Sequence, residues 1–398
     1  MRSVLSHCLQ KAKAGYGKAT YFFQSVRQDM TELSPNRNHT FFGYYDKTPF
    51  SLDNNLVLGM NLESNLGKKA YIGYFDLCNE NNFKVIGETN TWSWQLGARL
   101  QWMPNQEQEV IGYNKIVNGK FGFVLQNIHS GKIESEYTDP VFDVSPDGRY
   151  AISINFARLY NARAGYGYGN FSDPVADSLC PEDDGIVLLD LGTKSRKLLI
   201  SLKSLALLES HPSMKGAEHY VNHILFSPSG KRFLFLHHWH NGGKSYTRPI
   251  TTNMSGEDLF ILDGEVNLSH YTWKSDEELL IHTSKHPYGT KFNLYEDKVG
   301  KKKTIGIGVL KESGHPSYSP DGSKLIVDTY PDKSRRQHLL LCNSDGSLIK
   351  EVGYFYSPIE FSGDEKCDLH PRWDRIGNMI CVDSAHRGRR AMYIIKLN

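Results

Sequence analysis

The sequence has no surplus of charge of either sign: 46 Lys and Arg stand against 44 Asp and Glu, a formal net charge of +2. A partner held mainly through phosphate contacts needs a basic excess, so no nucleic acid is expected as a partner. No apolar run is long enough to span a bilayer, so no membrane span is expected. The opening stretch, MRSVLSHCLQKAKAGYGKATYFF, lacks the apolar core of a signal peptide. Cysteine is scarce: Cys8, Cys78, Cys180, Cys342, Cys367 and Cys381 are scattered, with no framework spacing and no close C-x-x-C pair. The expectation is a soluble cytoplasmic protein with reduced thiols. Also missing are a G-x-S-x-G elbow, a Walker loop and a dinucleotide fingerprint after a first strand. GYGYGN, residues 165–170, is glycine-rich but follows no βα pattern and reads as a loop. The basic run KVGKKKT, residues 298–304, reads as a solvated hairpin tip.

What the chain does have is aromatic residues, 22 Tyr, 19 Phe and 6 Trp, the material of strands and of sugar-binding clefts. They fall into a repeat. An apolar strand with an aromatic is followed by a polar turn of the type S-P-D-G and then by a second apolar strand. The copies are TPFSLDNNLVLGM from Thr48, LQWMPNQEQEVIGY from Leu100, VFDVSPDGRYAISI from Val141 and HILFSPSGKRFLFL from His223. HYTWKSDEELLIHT from His270, HPSYSPDGSKLIVD from His315 and HPRWDRIGNMICVD from His370 complete the set. Proline presets φ and glycine accepts φ > 0, so each copy predicts a hairpin. Further strands follow most copies, as in YIGYFDL, FGFVLQNI, GIVLLDL, DLFILDG and HLLLCNSDG. Units of three or four strands, about 45 residues apart, are the signature of propeller blades. The predicted fold is all-β, a single seven-bladed β-propeller over residues 20–398, with 1–19 as an N-terminal extension.

Two units are irregular. The third is about twice as long as the others, with a predicted long loop in RLYNARAGYGYGNFSDPVADSLCPEDD and a short helix in SLKSLALLESHPSMKGAEHYVN. Long ordered loops on a rigid scaffold tend to be functional. The last unit ends at its third strand, AMYIIKLN. An N-terminal strand around TYFFQSV is expected to complete it and close the ring, which would otherwise expose two edges.

When the copies are aligned on the aromatic, four of the seven carry histidine three residues earlier: His223, His270, His315 and His370. Lys47 and Arg99 hold that place in two others, and Val141 in the last. The far ends of the hairpins add His237, His238, His240, Asp328, Tyr330, Asp383 and His386. Two chemistries divide this set. His315 and Asp328 across one hairpin, with Cys367, His370 and His386 of the next, suit a divalent metal: zinc if the cysteine takes part, manganese if only histidine and carboxylate do. His223 and His240, with a nearby tyrosine and arginine, suit acid–base catalysis.

HPSYSPDGSKLIVDTYPD and CDLHPRWDRIGNMICVDSAHRG resemble the oligogalacturonate lyase family of seven-bladed propellers. NHTFFGYYDKTPFS and ARLYNARAGYGYG resemble stretches of the related ulvan lyase-type propellers. The resemblance runs through most of the chain from about Asn38. It implies β-elimination of a uronate-containing oligosaccharide or polysaccharide, in which a metal or an arginine neutralises the carboxylate. It further implies His315, Asp328, Cys367, His370 and His386 as a metal cluster, and His223 and His240 as paired catalytic histidines. Arg99, Arg158 and Arg163 become candidates for a carboxylate clamp, Tyr166 and Tyr168 for acid or stacking roles, and His39 a further catalytic candidate. Two other readings stay open: a non-catalytic propeller that binds a glycan or protein, and a glycan hydrolase or transferase of surface-polysaccharide metabolism. Paired carboxylates, of which Asp328 and Asp383 are the obvious pair, would favour the latter. The sequence sets no oligomeric state.

Overall fold

The computed structural model describes residues 29–34, 38–63, 68–104, 110–263, 267–285 and 289–397. Among them strands dominate, and they assemble into seven four-stranded antiparallel sheets, the blades of a seven-bladed β-propeller. The chain divides into two compact units. Met1–Glu88 with Ile305–Asn398 holds blades 1, 6 and 7, and Thr89–Thr304 holds blades 2 to 5. No helix of the described residues is long and apolar enough to cross a membrane.

Except in blade 1, whose first strand His39–Phe41 precedes the repeat and whose repeat keeps only the bridge between Phe50 and Val57, each repeat supplies the first two strands of a blade. In blade 3, Asp143–Val144 pairs with Tyr150–Ser153, and in blade 6 Pro316–Tyr318 pairs with Lys324–Asp328. The turns between them share one construction. The Ser145 hydroxyl donates to Asp147 at 2.5 Å and accepts the Tyr150 N–H at 2.9 Å, while Gly148 sits at φ 71°. Ser319, Asp321 and Lys324 repeat this arrangement, and Ser319 and Ser323 hold the Asp321 carboxyl down at about 2. The repeat aromatic fastens neighbouring blades. Trp273 Nε1 donates to the Leu225 carbonyl of blade 4 at 3.1 Å, and Trp373 Nε1 to the Ser317 carbonyl of blade 6 at 3.0 Å. Aliphatic side chains between adjacent sheets form the cores: Leu234, Leu236, Leu279 and Ile281 between blades 4 and 5, and Ile326, Leu339, Ile380 and Ile395 between blades 6 and 7.

The last blade takes its fourth strand from the N-terminal side, as expected. That strand is Met30–Leu33, paired with Ala391–Lys396; the stretch TYFFQSV lies outside the described residues, as does the proposed extension 1–19. The insertion of the third blade contains the predicted short helix, Leu202–Leu207, but also a helix at Phe156–Ala162 where a loop was expected. Asn155 starts the latter, its side chain accepting the Arg158 N–H. In blade 4 the segment DLFILDG does contain a strand, Phe260–Ile261, at the blade's edge, and Lys244–Asn253, not singled out from the sequence, is the third strand. The basic run is not a hairpin tip. Gly300–Ile305 is the outer strand of blade 5, with Lys301, Lys302 and Lys303 exposed along it, the charged edge that discourages further strand pairing.

Candidate functional site

In the first unit the hairpin register brings His315 beside Asp328. Pro316 pairs with Val327, so the preceding His315 faces the strand's last residue. Gly314 makes room for this: a Cβ there would lie 1.7 Å from the Asp328 carbonyl oxygen. The Asp328 carboxylate accepts from the His315 N–H at 2.6 Å, from His315 Nδ1 at 2.9 Å and from the His370 N–H at 3.1 Å. An ionised carboxylate only accepts, so the His315 proton lies on Nδ1 and any ligand bond must come from Nε2. His370 is set the same way, its Nδ1 donating to the Gly43 carbonyl at 2.9 Å. Gly43, at φ 128°, adopts a backbone conformation that only glycine takes easily. Nε2 of His370 is buried and has no hydrogen-bond partner among the described residues.

Asp368 joins the two imidazoles. One ligand atom from each of His315, Asp368 and His370 lies within 4.8 Å of the others, and none of the three residues is more than 3% exposed. Burial holds the His370 imidazole well below its ordinary range, with the charges of His315, Arg372 and Lys366 adding to it. It is therefore neutral near pH 7, the form a ligand needs. Two imidazoles with a carboxylate fit a divalent ion of the zinc or manganese kind. Three tyrosines wall the cluster: Tyr44 packs 4.8 Å from the His370 ring, and Tyr45 and Tyr330 lie 5.1 and 5.7 Å from His315. Lys366 pairs with Asp368 at 2.7 Å and lies over the Tyr330 ring.

Of the five residues expected as metal ligands, the cluster holds two. Asp328 serves beneath it as the acceptor that orients His315. Cys367 is not among the residues whose ligand atoms converge there, and burial pushes its thiol up to about 12. The His386 ring bonds Ser384 Oγ at 2.9 Å between Phe355 and Tyr393, and burial holds it down at about 3. Asp368 was not singled out from the sequence, because it lies in a segment without regular structure rather than at a repeat position. Asp328 and Asp383 do not form a catalytic carboxylate pair. Asp328 is taken up by the histidines, and Asp383 is buried against the Arg372 guanidinium at 2.9 Å. His39 is half-buried, and its Nδ1 accepts the Arg390 N–H at 3.3 Å, which leaves Nε2 as a donor rather than a base.

The second unit holds the other candidates. His223 is buried, at φ 49°, with its ring edge-on to Tyr166 at 5.4 Å. The same repeat position is left-handed at Arg99, φ 53°, and in the first unit at His370, φ 45°. Non-glycine residues rarely sit there, and such strain collects at functional sites. His240 meets the Tyr220 hydroxyl at 3.3 Å, and Arg163 stacks on Tyr166 at 4.2 Å. The rest are held inside the fold. Arg99 donates to the Phe142 carbonyl, and Arg158 to Asp173 and to the carbonyls of His219, Ser178 and Leu179. Tyr168 is fully buried, stacked on Phe156 at 4.3 Å, so it offers no face to a sugar. A cleft of ≈ 620 Å³ in this unit is lined by Phe121, Phe171, Asn155 and Asp184, and by none of the candidates.

His237 and His219 form a buried relay. Arg248 Nε donates to His237 Nδ1 at 3.2 Å, so His237 carries its proton on Nε2 and gives it to His219 Nδ1 at 2.9 Å. Burial lowers His219 to about 4 and places His237 and His238 well below 6.5. In the unfolded chain these groups take up protons near 6.5, whereas in the folded chain His219 does so only near about 4 and His237 and His238 well below 6.5. Their stabilisation is thus complete above 6.5 and is lost as pH falls, by up to about 1.4 kcal/mol per pH unit for each histidine. Urea unfolding at pH 7.5 and pH 5 is expected to show a clearly lower midpoint at pH 5; equal midpoints would refute the neutral relay.

No family model matches the sequence, and no curated protein matches it. Solved structures do. An oligogalacturonate lyase in complex with manganese superposes with a TM-score of 0.69 at 13% identity, covering 94% of this chain and 94% of that one. An oligogalacturonate lyase from Vibrio parahaemolyticus gives 0.67 at 11% identity, covering 94% and 95%. A structure from a study of two prolyl endopeptidases gives 0.51 at 12% identity, but the match covers only 53% of that chain. At such identities the likeness establishes the propeller fold and not an activity.

Proposed function

We propose that this chain is a carbohydrate-active enzyme, a divalent-metal-dependent lyase that cleaves uronate-containing oligosaccharides by β-elimination. The observation that carries the reading is the convergence of His315, Asp368 and His370, with both imidazoles locked in the tautomer that presents Nε2. The extent of the likeness to an oligogalacturonate lyase in complex with manganese supports it. A bound divalent ion would supply positive charge against the uronate carboxylate and the enolate-like anion left when the C5 proton departs. The chain's own residues do the remaining work. Asp328 and Gly43 fix the ligands, and Tyr44 and Tyr45 wall them off. The Tyr330 hydroxyl accepts from Lys366 Nζ at 3.4 Å beside the cluster, and a phenol in that place suits a general acid for the departing oxygen. In the second unit, His223 and His240 with Arg163 remain proposed acid–base groups. Their supporting observations are the strained backbone of His223 and the contact between Tyr220 and His240.

The burial of the cluster favours one alternative, a structural ion in a propeller that binds glycans without cleaving them. Incubation of the manganese-loaded protein with oligogalacturonates and other uronate glycans separates the two. Unsaturated products absorbing in the near ultraviolet, lost on chelation, are expected. Tight metal binding with no product from any uronate glycan would favour the alternative.

A further inference from the structure

Asp368 is the one member of the cluster with a cation already on it. Lys366 Nζ lies 2.7 Å from Asp368 Oδ2, yet that oxygen lacks a partner in hydrogen-bond geometry, so the contact is an ion pair without good alignment. The Asp368 side chain is 3% exposed and that of Lys366 31%, so the carboxylate is interior while the ammonium's stem reaches the surface. In that same position the ammonium is already 4.6 Å from the centre of the Tyr330 ring and 3.4 Å from its hydroxyl, so the ring can keep hold of it if the carboxylate contact is broken. A divalent ion held by His315, Asp368 and His370 would compete for the carboxylate oxygen that Lys366 now contacts. Two cations cannot share it cheaply, because like charges a few ångströms apart in a buried site repel strongly.

We infer that Lys366 is an exchangeable counter-cation. It neutralises Asp368 while the centre is empty. On metal entry it is displaced to the face of Tyr330, where its ammonium becomes an anchor for the carboxylate of an acidic sugar. No bond is made or broken in this exchange, and the displaced ammonium keeps its charge. The site would thus acquire its affinity for an anionic ligand only after the metal is in place. This rests on the metal centre proposed above and adds a residue that sets both when the centre loads and what it then binds.

The test is a calorimetric titration of the full-length protein with Mn²⁺, for the wild type, Lys366→Met and Lys366→Arg. A melting curve of each reports folding. Lys366→Met is expected to bind Mn²⁺ about tenfold more tightly than the wild type, because the competing charge is gone while the apolar stem is kept. Lys366→Arg is expected to stay near the wild type. The direction is what matters: a lysine that merely props the site would weaken metal binding when removed. In a second titration, the Mn²⁺-loaded Lys366→Met protein is expected to bind trigalacturonate about tenfold more weakly than the loaded wild type. Unchanged or weaker Mn²⁺ binding by Lys366→Met overturns the exchange, and unchanged trigalacturonate binding overturns the anchor. In both cases the metal reading stands if the wild type binds Mn²⁺. If neither protein binds Mn²⁺, that reading fails first and takes this inference with it.

Discussion

Replacing His370 by alanine is expected to lower metal affinity by about a hundredfold or more and to abolish product formation. Loss of an outer partner to a ligand typically costs roughly 10- to 100-fold, and here a ligand itself goes. The remaining pair, His315 and Asp368, would hold a divalent ion only weakly. The backbone gives the experiment an internal control. His370 sits at φ 45°, a conformation that costs an ordinary residue on the order of 1 kcal/mol and glycine little. Alanine and glycine both remove the imidazole, but only glycine relieves that strain. His370→Gly should therefore lose metal as fully as His370→Ala yet unfold at higher denaturant. Equal metal binding by the wild type and both variants would remove the centre from the molecule.

How far the sequence could carry this site follows from which features are local. The hairpins were legible because turn chemistry and strand periodicity are written over a dozen residues, as in SPDGRYAISI. The third strand of blade 4, Lys244–Asn253, was not, because Pro249 argues against a central strand and its mostly polar residues hide a strand whose burial is set by its neighbours. The helix Phe156–Ala162 was obscured in the same way by the glycines and tyrosines that follow it. His315 and His370 were legible because the repeat marks their position. Asp368 was not, since nothing local tells a buried carboxylate two residues before a repeat histidine from an exposed one. Asp328 illustrates the converse limit. A carboxylate facing a histidine across a hairpin looks like a second ligand, and only the side-chain geometry shows that it holds Nδ1 and leaves Nε2 for a ligand bond. The histidines of LHHWHN mislead for a related reason. His237 points into a relay ending on Arg248, so its chemistry is spent on holding the blade together.

Asp328 is where the fold and the site depend on the same atoms, and its removal carries the largest expected cost. Its carboxylate is 1% exposed and accepts from two backbone N–H groups and one imidazole, at 2.6, 3.1 and 2.9 Å. Asp328→Ala would leave those three donors buried without an acceptor, a loss on the order of 3–5 kcal/mol. That would show as a large fall in the urea midpoint at neutral pH. Asp328→Asn separates the two roles. It keeps the shape and one carbonyl oxygen, so much of the stability should survive. Its amide can serve only part of the donor set, and the His315 tautomer is no longer imposed by a negative charge. Metal affinity should then fall by roughly 10- to 100-fold even in a well-folded protein. Gly314→Ala provides an independent approach, because its Cβ would collide with the Asp328 backbone oxygen and spread the hairpin without deleting any polar group. If the carboxylate works by position, Gly314→Ala and Asp328→Asn should both weaken metal binding, whereas a carboxylate serving only as bulk negative charge would leave Gly314→Ala with the metal affinity of the wild type.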